Sequence, residues 1–407
     1  MTALSLAVHF APPLNSTLNM SNEDWNTGGD LVSSDHIAHM LEFHRSGDPA
    51  FIRRPLTTWC MDGLVAIGVP PVLSFLLCGF LLFMVAGVMV HRAAGSMGAD
   101  QGQATAAQVL FHLTPTVLFA YFAPIYSYDE PLQYALLLIA LASFSAGRSW
   151  AFIVSFALAM VARESSLLLL PSIAYLALSG EREARWRTLI MLVAPVVLYA
   201  AFLAFYLNHI GLDHGAEAEM GSRMSLFEEN FKNGDMAGES LCFLFLALGL
   251  PLFLIGRYVL LPECPAPHKQ RVRAMLIALL LNTAVVLVAT KAREARLFAL
   301  PLIFVFPLLG HAWHAEMARH QGFRGVFHSL RRWDLALLFL FAGSLVVLVA
   351  DHVFVLSNGV ASENLFHEVF IGQALFMLCC WLSDIARRGH RDNVSSWDHE
   401  PRFRQGG

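Results

Sequence analysis

Long apolar stretches alternate with short polar connections along almost the whole chain. A membrane span needs about 20 apolar residues, because a ~30 Å hydrocarbon core is crossed at ~1.5 Å per residue. The pattern therefore predicts an all-α, polytopic transmembrane helical bundle with about 11 spans, within a range of about 10–12. Some runs are shorter than a full span, so neighbouring runs can be re-entrant or broken helices. The runs cover 63–90, 106–124, 132–147, 150–162, 166–179, 188–208, 240–256, 273–290, 297–314, 334–355 and 366–384.

The composition of the 407-residue chain indicates a surface that faces lipid. Hydrophobic residues make up 56% and charged residues only 14%, whereas a soluble domain has about 25% charged residues. The mean hydropathy of +0.56 agrees with this, and together these values exclude a conventional soluble enzyme. The cysteines lie mostly in or beside apolar runs without metal-type spacing, so we interpret them as core or lipid-facing residues. They are Cys60, Cys78, Cys242, Cys264, Cys379 and Cys380.

The basic connections predict the orientation, since cytoplasmic loops of membrane proteins carry an excess of Lys and Arg. With residues 1–62 outside, nearly all Arg-rich connections fall on the inner side. We therefore expect an extracytoplasmic segment over 1–62, a transmembrane domain over 63–385 and a disordered cytoplasmic basic tail over 386–407. The expected location is a bacterial plasma membrane, with any active site facing the periplasm or the exterior.

The extracytoplasmic segment carries the first candidate acidic residues. Asp30 follows a glycine pair that lets the backbone turn sharply, and Asp35 precedes a helical pattern over His36–Arg45. This pattern predicts an amphipathic helix at the membrane interface. The two carboxylates could serve catalysis, or they could belong to a solvated loop in which Asp35 caps the helix. Arg53 and Arg54 end the loop, where they could meet lipid headgroups or shape it.

Two further outer junctions carry charge between apolar runs. The first contains Tyr128, Asp129 and Glu130. Its adjacent carboxylates could bind a divalent cation such as Mg²⁺ or Mn²⁺ or orient a hydroxyl, but acidic residues also suit the first turn of a helix. The second contains Arg163 and Glu164. Such a pair is costly at a membrane helix end unless it is paired internally or with a ligand, so a salt bridge and a functional role both remain open.

A fourth junction concentrates cations on the side where the topology rule disfavours them. Lys291, Arg293 and Arg296 surround Glu294 in this short polar stretch. Arginine can grip a phosphate with two parallel hydrogen bonds, so the cluster suits a phosphate or pyrophosphate. The alternative is that these long side chains reach lipid headgroups. Their placement on the outer side favours the functional interpretation.

The order of these motifs resembles the GT-C superfamily of integral-membrane glycosyltransferases. The resemblance rests on an acidic first outer loop followed by Arg-Pro-Leu, Tyr-Asp-Glu, Ala-Arg-Glu-Ser and Lys-x-Arg-Glu-x-Arg-Leu-Phe. The run Lys291–Phe298, with Pro301 after it, is similar to the His-Lys-Glu-x-x-Arg-Phe motif of the mannosyltransferase branch. Members are polytopic helical proteins that take a sugar from a polyprenyl-phosphate donor at an extracytoplasmic or luminal active site.

The resemblance implies a role for each candidate residue. Asp30 or Asp35 would be the general base, and Asp129 and Glu130 would position the acceptor or hold a Mg²⁺ or Mn²⁺ ion. The donor phosphate would be bound by Lys291, Arg293, Arg296 and Arg163, with Glu164, Glu294, Arg53, Arg54 and Tyr128 in support. The implied partners are a polyprenyl-phosphate-linked sugar, a glycan, lipid or protein acceptor and membrane lipids, with no nucleic acid.

Two other classes of function remain open from the sequence. A transporter or flippase for a lipid-linked or anionic solute would place its charges near the bilayer midplane in two related halves, and no such halves are visible. A non-catalytic membrane assembly subunit would tolerate the loss of every outer carboxylate. Because no large soluble C-terminal domain is present, we expect transfer of a single sugar, with inversion, rather than transfer of an oligosaccharide to protein.

Overall fold

The computed structural model describes residues 41–42, 44–45, 49–118, 128–179, 185–210, 226–290, 292, 295–356 and 366–397. These residues form helices and no strand. Among them, the helices of ten residues or more are labelled α1 to α12 in chain order. They are α1 Pro55–Ala66, α2 Pro71–Ser96, α3 Gln101–Leu113, α4 Glu130–Ser145, α5 Ser149–Ala162, α6 Leu170–Ser179, α7 Arg185–Ile210, α8 Gly234–Val259, α9 Ala266–Ala289, α10 Leu309–Arg319, α11 Trp333–Ala350 and α12 Phe366–Trp397.

Six segments of the described chain are long and apolar enough to cross a membrane. They are Pro71–Ser96, Thr188–Ile210, Gly234–Val259, Ala266–Ala289, Trp333–Phe354 and Phe366–Arg387. Three shorter apolar helical segments accompany them: Glu130–Ser145, Ser149–Ala162 and Glu164–Ser179. The prediction of an all-helical membrane protein is therefore confirmed, while the count of eleven spans stays a prediction. Most of the expected interfacial helix at 36–45 lies outside the described residues.

The chain divides into two compact units, Met1–Ala312 and Trp313–Gly407. The boundaries that we expect at 62 and 385 stay predictions. The last helix, α12, continues to Trp397 and so enters the segment 386–407 that we predict as a cytoplasmic tail.

The short helices of the first unit lie inside its packing. α5 contacts α4 on one side and α7 on another, and α4 also contacts α2. Both α4 and α5 bury residues around most of their circumference, such as Tyr134, Ala135 and Leu137 on α4 and Phe152 and Ile153 on α5. A helix that is covered by protein on most sides does not need the length of a lipid-facing span.

The apolar run at 297–314, expected as one span, is broken in the structure. It forms the short helix Ala295–Phe298, two 3₁₀ segments, Leu300–Phe304 and Phe306–Leu308, and the start of α10. Pro301 and Pro307 explain the breaks, because proline removes a backbone donor and clashes with the preceding turn. Nearly every side chain here is buried. Irregular backbone at membrane depth is tolerated only where protein or water covers it, and this segment forms the core of the first unit.

The second unit contains α11 and α12, which pack along each other. Before them, α10 ends in a tight turn in which Gln321 and Gly322 have positive φ values of 56° and 96°. The Gly322 amide donates to the Met317 carbonyl at 2.8 Å, which closes the end of the helix. Behind this turn, Gly325 lies so close to the His320 carbonyl that a Cβ atom would sit 1.7 Å from its oxygen. The turn therefore fixes the position of His320.

Candidate active site

Three helix junctions of the first unit bring charged side chains together. Arg54 precedes α1, where Pro55 occupies the first helical position. Asp129 precedes α4 in the same way, with Glu130 as its first residue. Arg163 has an extended backbone between α5 and the 3₁₀ segment that begins at Glu164. Each junction leaves the regular helix where a charged residue occurs, so the side chains can turn toward a common centre.

The charges pair across junctions. Arg54 grips Glu164 with two hydrogen bonds, Nε to Oε2 at 2.6 Å and Nη2 to Oε1 at 2.5 Å. Its Nη1 lies 3.9 Å from Oδ2 of Asp129. Arg163 donates to Glu130. Arg163 and Glu164, adjacent in the sequence, thus each pair with a residue from another junction.

Burial sets the electrostatics of this cluster. Asp129 is 0% exposed, and Arg163 and Glu130 are also buried. Burial raises the pKa of Asp129 to about 7, against the opposing attraction of Arg54 and Arg163. Burial alone would lower the pKa of Arg54, but the Glu164 and Asp129 carboxylates raise it above its ordinary value. Asp129 can therefore change its charge near neutral pH while Arg54 stays cationic.

Tyr128 fixes the junction that carries Asp129. Its hydroxyl shares a 3.0 Å hydrogen bond with the Thr58 hydroxyl of α1. Its ring stacks on His44, with the ring centroids 4.1 Å apart. Both rings are buried, so the chain from the N-terminal segment covers this junction. Tyr128 therefore supports the site through its position.

A cavity of about 200 Å³ opens beside the charged cluster. One part of its wall is charged and polar, and the other is aliphatic, from the 3₁₀ segment after Arg163 and from α9 and its continuation. The lining residues are Arg54, Glu130, Gln133, Tyr134, Arg163, Glu164, Ser165, Leu167, Leu168, Asn282, Val285, Val286, Thr290, Leu297 and Leu300. Such a mixed wall can hold a polar headgroup and a hydrocarbon together.

Three polar residues that the sequence analysis does not single out hold the segments around the cavity. Gln133 donates to the Ser165 and Ser166 hydroxyls at 3.0 and 2.9 Å. Asn282 donates to the Leu297 carbonyl at 2.8 Å. Asn230 donates to the Thr290 carbonyl at 2.8 Å and accepts from the Ala292 amide at 3.0 Å. The signal for Gln133 and Asn282 was a polar residue inside a membrane-type apolar run, which usually faces protein or a functional cavity.

The structure brings together only part of the predicted site. The cavity is lined by Arg54, Glu130, Arg163 and Glu164. Asp129 lies next to this group, 3.9 Å from the Arg54 guanidinium. Arg53 is described but does not line the cavity. Asp30, Asp35, Lys291, Arg293 and Glu294 lie outside the described residues, as does the side chain of Arg296.

The surroundings of Asp129 and Glu130 do not fit the divalent cation that the sequence suggests for these two carboxylates. Glu130 contacts the Arg163 guanidinium, and Asp129 lies within the attraction of both Arg54 and Arg163. A Mg²⁺ or Mn²⁺ ion takes several oxygen ligands with close to octahedral geometry, and two guanidinium groups at the same carboxylates would repel it. We therefore assign no metal to these two carboxylates.

Comparison with known proteins relates part of this chain to a family of membrane enzymes. A family model described as Mannosyltransferase (PIG-V), a GT-C type family of membrane glycosyltransferases, matches residues 51–213. The matched stretch includes Arg54, Asp129 and Arg163 and ends before Lys291. No curated protein and no solved structure matches the chain. The family match confirms the predicted GT-C resemblance over residues 51–213, and it indicates that the chain is a membrane glycosyltransferase.

Proposed function

We propose that the chain transfers a single sugar from a polyprenyl-phosphate donor to a hydroxyl acceptor on the extracytoplasmic face of the membrane. The cavity beside Arg54 and Arg163 is the observation that carries this proposal. Its volume suits one sugar ring, and its polar wall offers partners for sugar hydroxyls. Because the matched family is one of mannosyltransferases, mannose is the first sugar to assay.

The aliphatic wall supports a lipid-linked donor. Leu167, Leu168, Val285 and Val286 also line the cavity. A polyprenyl chain that contacts these aliphatic side chains removes their surface from water, which favours binding. A sugar nucleotide is charged and does not provide this contact. The phosphate of such a donor joins the hydrocarbon to the sugar, so it belongs where the aliphatic and charged walls meet.

The charged residues have different roles in the proposed reaction. In the proposed mechanism, Asp30 or Asp35 accepts the proton of the acceptor hydroxyl, whose oxygen forms a bond with the anomeric carbon. The bond from that carbon to the phosphate oxygen breaks, and the polyprenyl phosphate leaves. Arg163 and the cations of the stretch 291–296 stabilise its charge in a partly dry site. A single displacement inverts the configuration at the anomeric carbon.

Glu130 and Asp129 hold this arrangement in place. Glu130 fixes the Arg163 guanidinium at the cavity wall, and Asp129 lies behind it next to Arg54. Glu130 also lines the cavity itself, where its carboxylate can accept a hydrogen bond from the acceptor hydroxyl. In this proposal Arg53 contacts lipid headgroups, while Tyr128, Glu164 and Glu294 support the charged residues.

The test is a transfer assay in membranes with a labelled polyprenyl-phosphate-mannose donor and membrane glycolipids as acceptors. We expect Asp30→Asn or Asp35→Asn to lower the transfer rate by about 10²- to 10⁴-fold, as the loss of a general base does. Asp334→Asn, which changes an exposed residue of the second unit, is the matched control and should keep the wild-type rate. Wild-type transfer by both Asp30→Asn and Asp35→Asn would exclude the assigned base.

The transporter alternative predicts a different result in the same system. Proteoliposomes that contain the protein would accumulate the labelled solute in their lumen without forming a transferred product. A non-catalytic subunit would show neither product nor uptake by the purified chain. Transfer by the purified chain would exclude both alternatives.

A further inference from the structure

A second cluster of chemically active side chains lies in the second unit. Glu316 is on α10, His320 lies in the turn after it, and Cys380 is on α12. One ligand atom from each residue lies within 4.8 Å of the other two. All three residues are buried, with exposed fractions of 3%, 0% and 0%. The function proposed for the first unit does not use any of them.

The local sequence explains why the three side chains meet. Glu316 and His320 are four residues apart, so they lie on the same face of a helix. α10 ends at Arg319, and the turn through Gln321 and Gly322 fixes the backbone of His320 directly after it. Cys380 then approaches from α12, one turn before Ser383. The cluster therefore joins two helices of the unit at one point.

His320 lies between Ser383 and Glu316. Ser383 Oγ is 3.5 Å from the Gly325 carbonyl, to which it can donate, and 2.9 Å from Nδ1 of His320. A serine that donates to this carbonyl can accept from the Nδ1–H tautomer of the histidine. Nε2 faces Oε1 of Glu316 at 2.9 Å. In that tautomer the lone pair of Nε2 points at a carboxylate oxygen, and either a proton or a metal ion can satisfy both atoms.

The chemistry of the three ligands favours a metal. We propose that Glu316, His320 and Cys380 form a binding site for Zn²⁺ or a similar divalent transition metal. A thiolate, an imidazole nitrogen and a carboxylate oxygen are the ligand types that zinc prefers. Zinc bonds of ~2.0–2.3 Å keep ligand atoms inside the spread of the cluster. One carboxylate and one thiolate also neutralise a divalent ion, which removes the cost of net charge in a buried position.

Ser383 completes the site as a residue that orients a ligand. A metal-binding histidine usually donates its other ring N–H group to a neighbouring acceptor, and Ser383 Oγ occupies that position. The site would join α10 to α12 and stabilise the second unit. This role is independent of sugar transfer, so its failure and the failure of the proposed function would be separate results.

The experiment measures metal binding by the full-length protein in detergent, purified through a tag that contains no histidine. After treatment with a chelator, the protein is titrated with Co²⁺, whose charge-transfer absorption reports a thiolate ligand. We expect about one Co²⁺ per chain, displacement of the cobalt by Zn²⁺, and a higher melting temperature of the zinc-loaded protein.

Adjacent cysteines give a matched pair of variants. Cys379→Ser changes a buried neighbour outside the cluster and should keep the cobalt absorption, whereas Cys380→Ser should lose it. Ser383→Ala should weaken Co²⁺ binding by about 10- to 100-fold while keeping the absorption of the bound form. If Cys380→Ser does not fold, the Co²⁺ titration of the wild-type chain alone shows whether the protein binds a metal through a thiolate.

Two outcomes would overturn the metal site. One is the lack of Co²⁺ or Zn²⁺ binding by the chelator-treated wild-type chain, which would leave a proton shared by Glu316 and His320. The other is cobalt absorption that disappears in Cys379→Ser but persists in Cys380→Ser. Either result would identify the cluster as a buried hydrogen-bonded pair or place the metal elsewhere.

Discussion

The charged cavity and the long helix α7 show two different uses of apolar sequence within the first unit. Only 6% of the apolar window within Thr188–Ile210 is buried by protein, and most of its side chains are exposed or half-buried. The helices α4 and α5 are shorter, covered by neighbours, and end at junctions that carry buried ion pairs. Mean hydropathy alone does not distinguish these helices.

This difference shows which parts of a membrane protein can hold buried charged side chains. A long helix in lipid has to satisfy its backbone internally and keep charge at its ends. Short helices inside a bundle can end within the protein, and their free ends then bring charged side chains to a protected centre. In this chain, Arg54, Asp129 and Arg163 all occupy such ends.

The largest loss of stability is expected from the substitution of Arg163, which tests the contrast between the buried junctions and the exposed helix α7. Arg163→Met leaves Glu130 buried without its guanidinium partner, and removing one partner of a buried pair costs about 3–5 kcal/mol. We expect a correspondingly lower free energy of unfolding in detergent and loss of sugar transfer. Thermal and denaturant unfolding, followed by helix content, provide the measurement.

Two further variants identify the cause of that loss. Adding Glu130→Gln to Arg163→Met removes the isolated charge and should recover part of the stability without restoring transfer. Arg332→Met breaks an exposed pair with Asp334 and should leave the melting temperature unchanged. Equal losses from Arg163→Met and Arg332→Met would show that burial does not distinguish the two regions.

A smaller loss should follow from filling the close helix contact at Gly310. A Cβ atom at this position would lie 1.8 Å from the Gln103 carbonyl oxygen of α3, so the backbones have to separate. We expect Gly310→Ala to cost about 1–3 kcal/mol of unfolding free energy, as overpacking of a core does. The same unfolding measurement on the purified protein tests this.

Gly256 on α8 is the matched control for Gly310. No atom lies within 4 Å of a Cβ at this position, so Gly256→Ala should be neutral or add up to about 1 kcal/mol through helix propensity. If both substitutions destabilise the protein equally, the close approach of α10 to α3 is not what makes Gly310 sensitive.

The sequence predicted the class of fold and the polar ends of the helices, because both follow from local properties. Apolar runs give helices of membrane type, and Arg163 and Glu130 stood out as charges between such runs. The ion-pair partners of these charged residues were not predictable, because they depend on how α1, α4 and α5 pack. Arg54 pairs with Glu164 across 110 residues, and no local pattern encodes that distance.

The breaks in the core segment show a second limit of sequence reasoning. The run at 297–314 has the hydropathy of a span, but Pro301 and Pro307 divide it into 3₁₀ pieces. Proline shows where a helix can break, yet the surrounding helices decide whether the broken backbone is covered. In the same way, the meeting of Cys380 with Glu316 and His320 depends on tertiary packing, so a sequence spacing rule for metals could not find it.

The stability of the protein should also depend on pH through Asp129. Its pKa rises from 3.8 to about 7 because burial disfavours the charged carboxylate. A raised pKa in the folded state means that the folded protein holds the proton more tightly. The stabilisation is therefore fully present below about pH 3.8 and is lost as the pH rises through about 7.

Asp129→Asn isolates this contribution, since the amide stays neutral. Arg54, Arg163, Glu130 and Glu164 face the same position in both proteins, so their effects are shared by the comparison. We expect the melting temperature of the wild type to fall more steeply than that of Asp129→Asn from about pH 5 to about pH 8. Parallel curves would mean that Asp129 is ionised throughout this range.

The smallest effect is expected on the lipid-facing side. Phe205 of α7 is 74% exposed, so Phe205→Leu exchanges one apolar surface for another and should change the unfolding free energy by less than about 0.5 kcal/mol. Phe306→Leu makes the same chemical change at a fully buried ring that contacts Phe111 edge-on, and the cavity it leaves should cost about 1 kcal/mol or more. Melting curves of the two variants in the same detergent make the comparison. A large loss at Phe205 would mean that α7 contacts protein on this face, because neither lipid nor detergent provides a close-packed partner that distinguishes Phe from Leu.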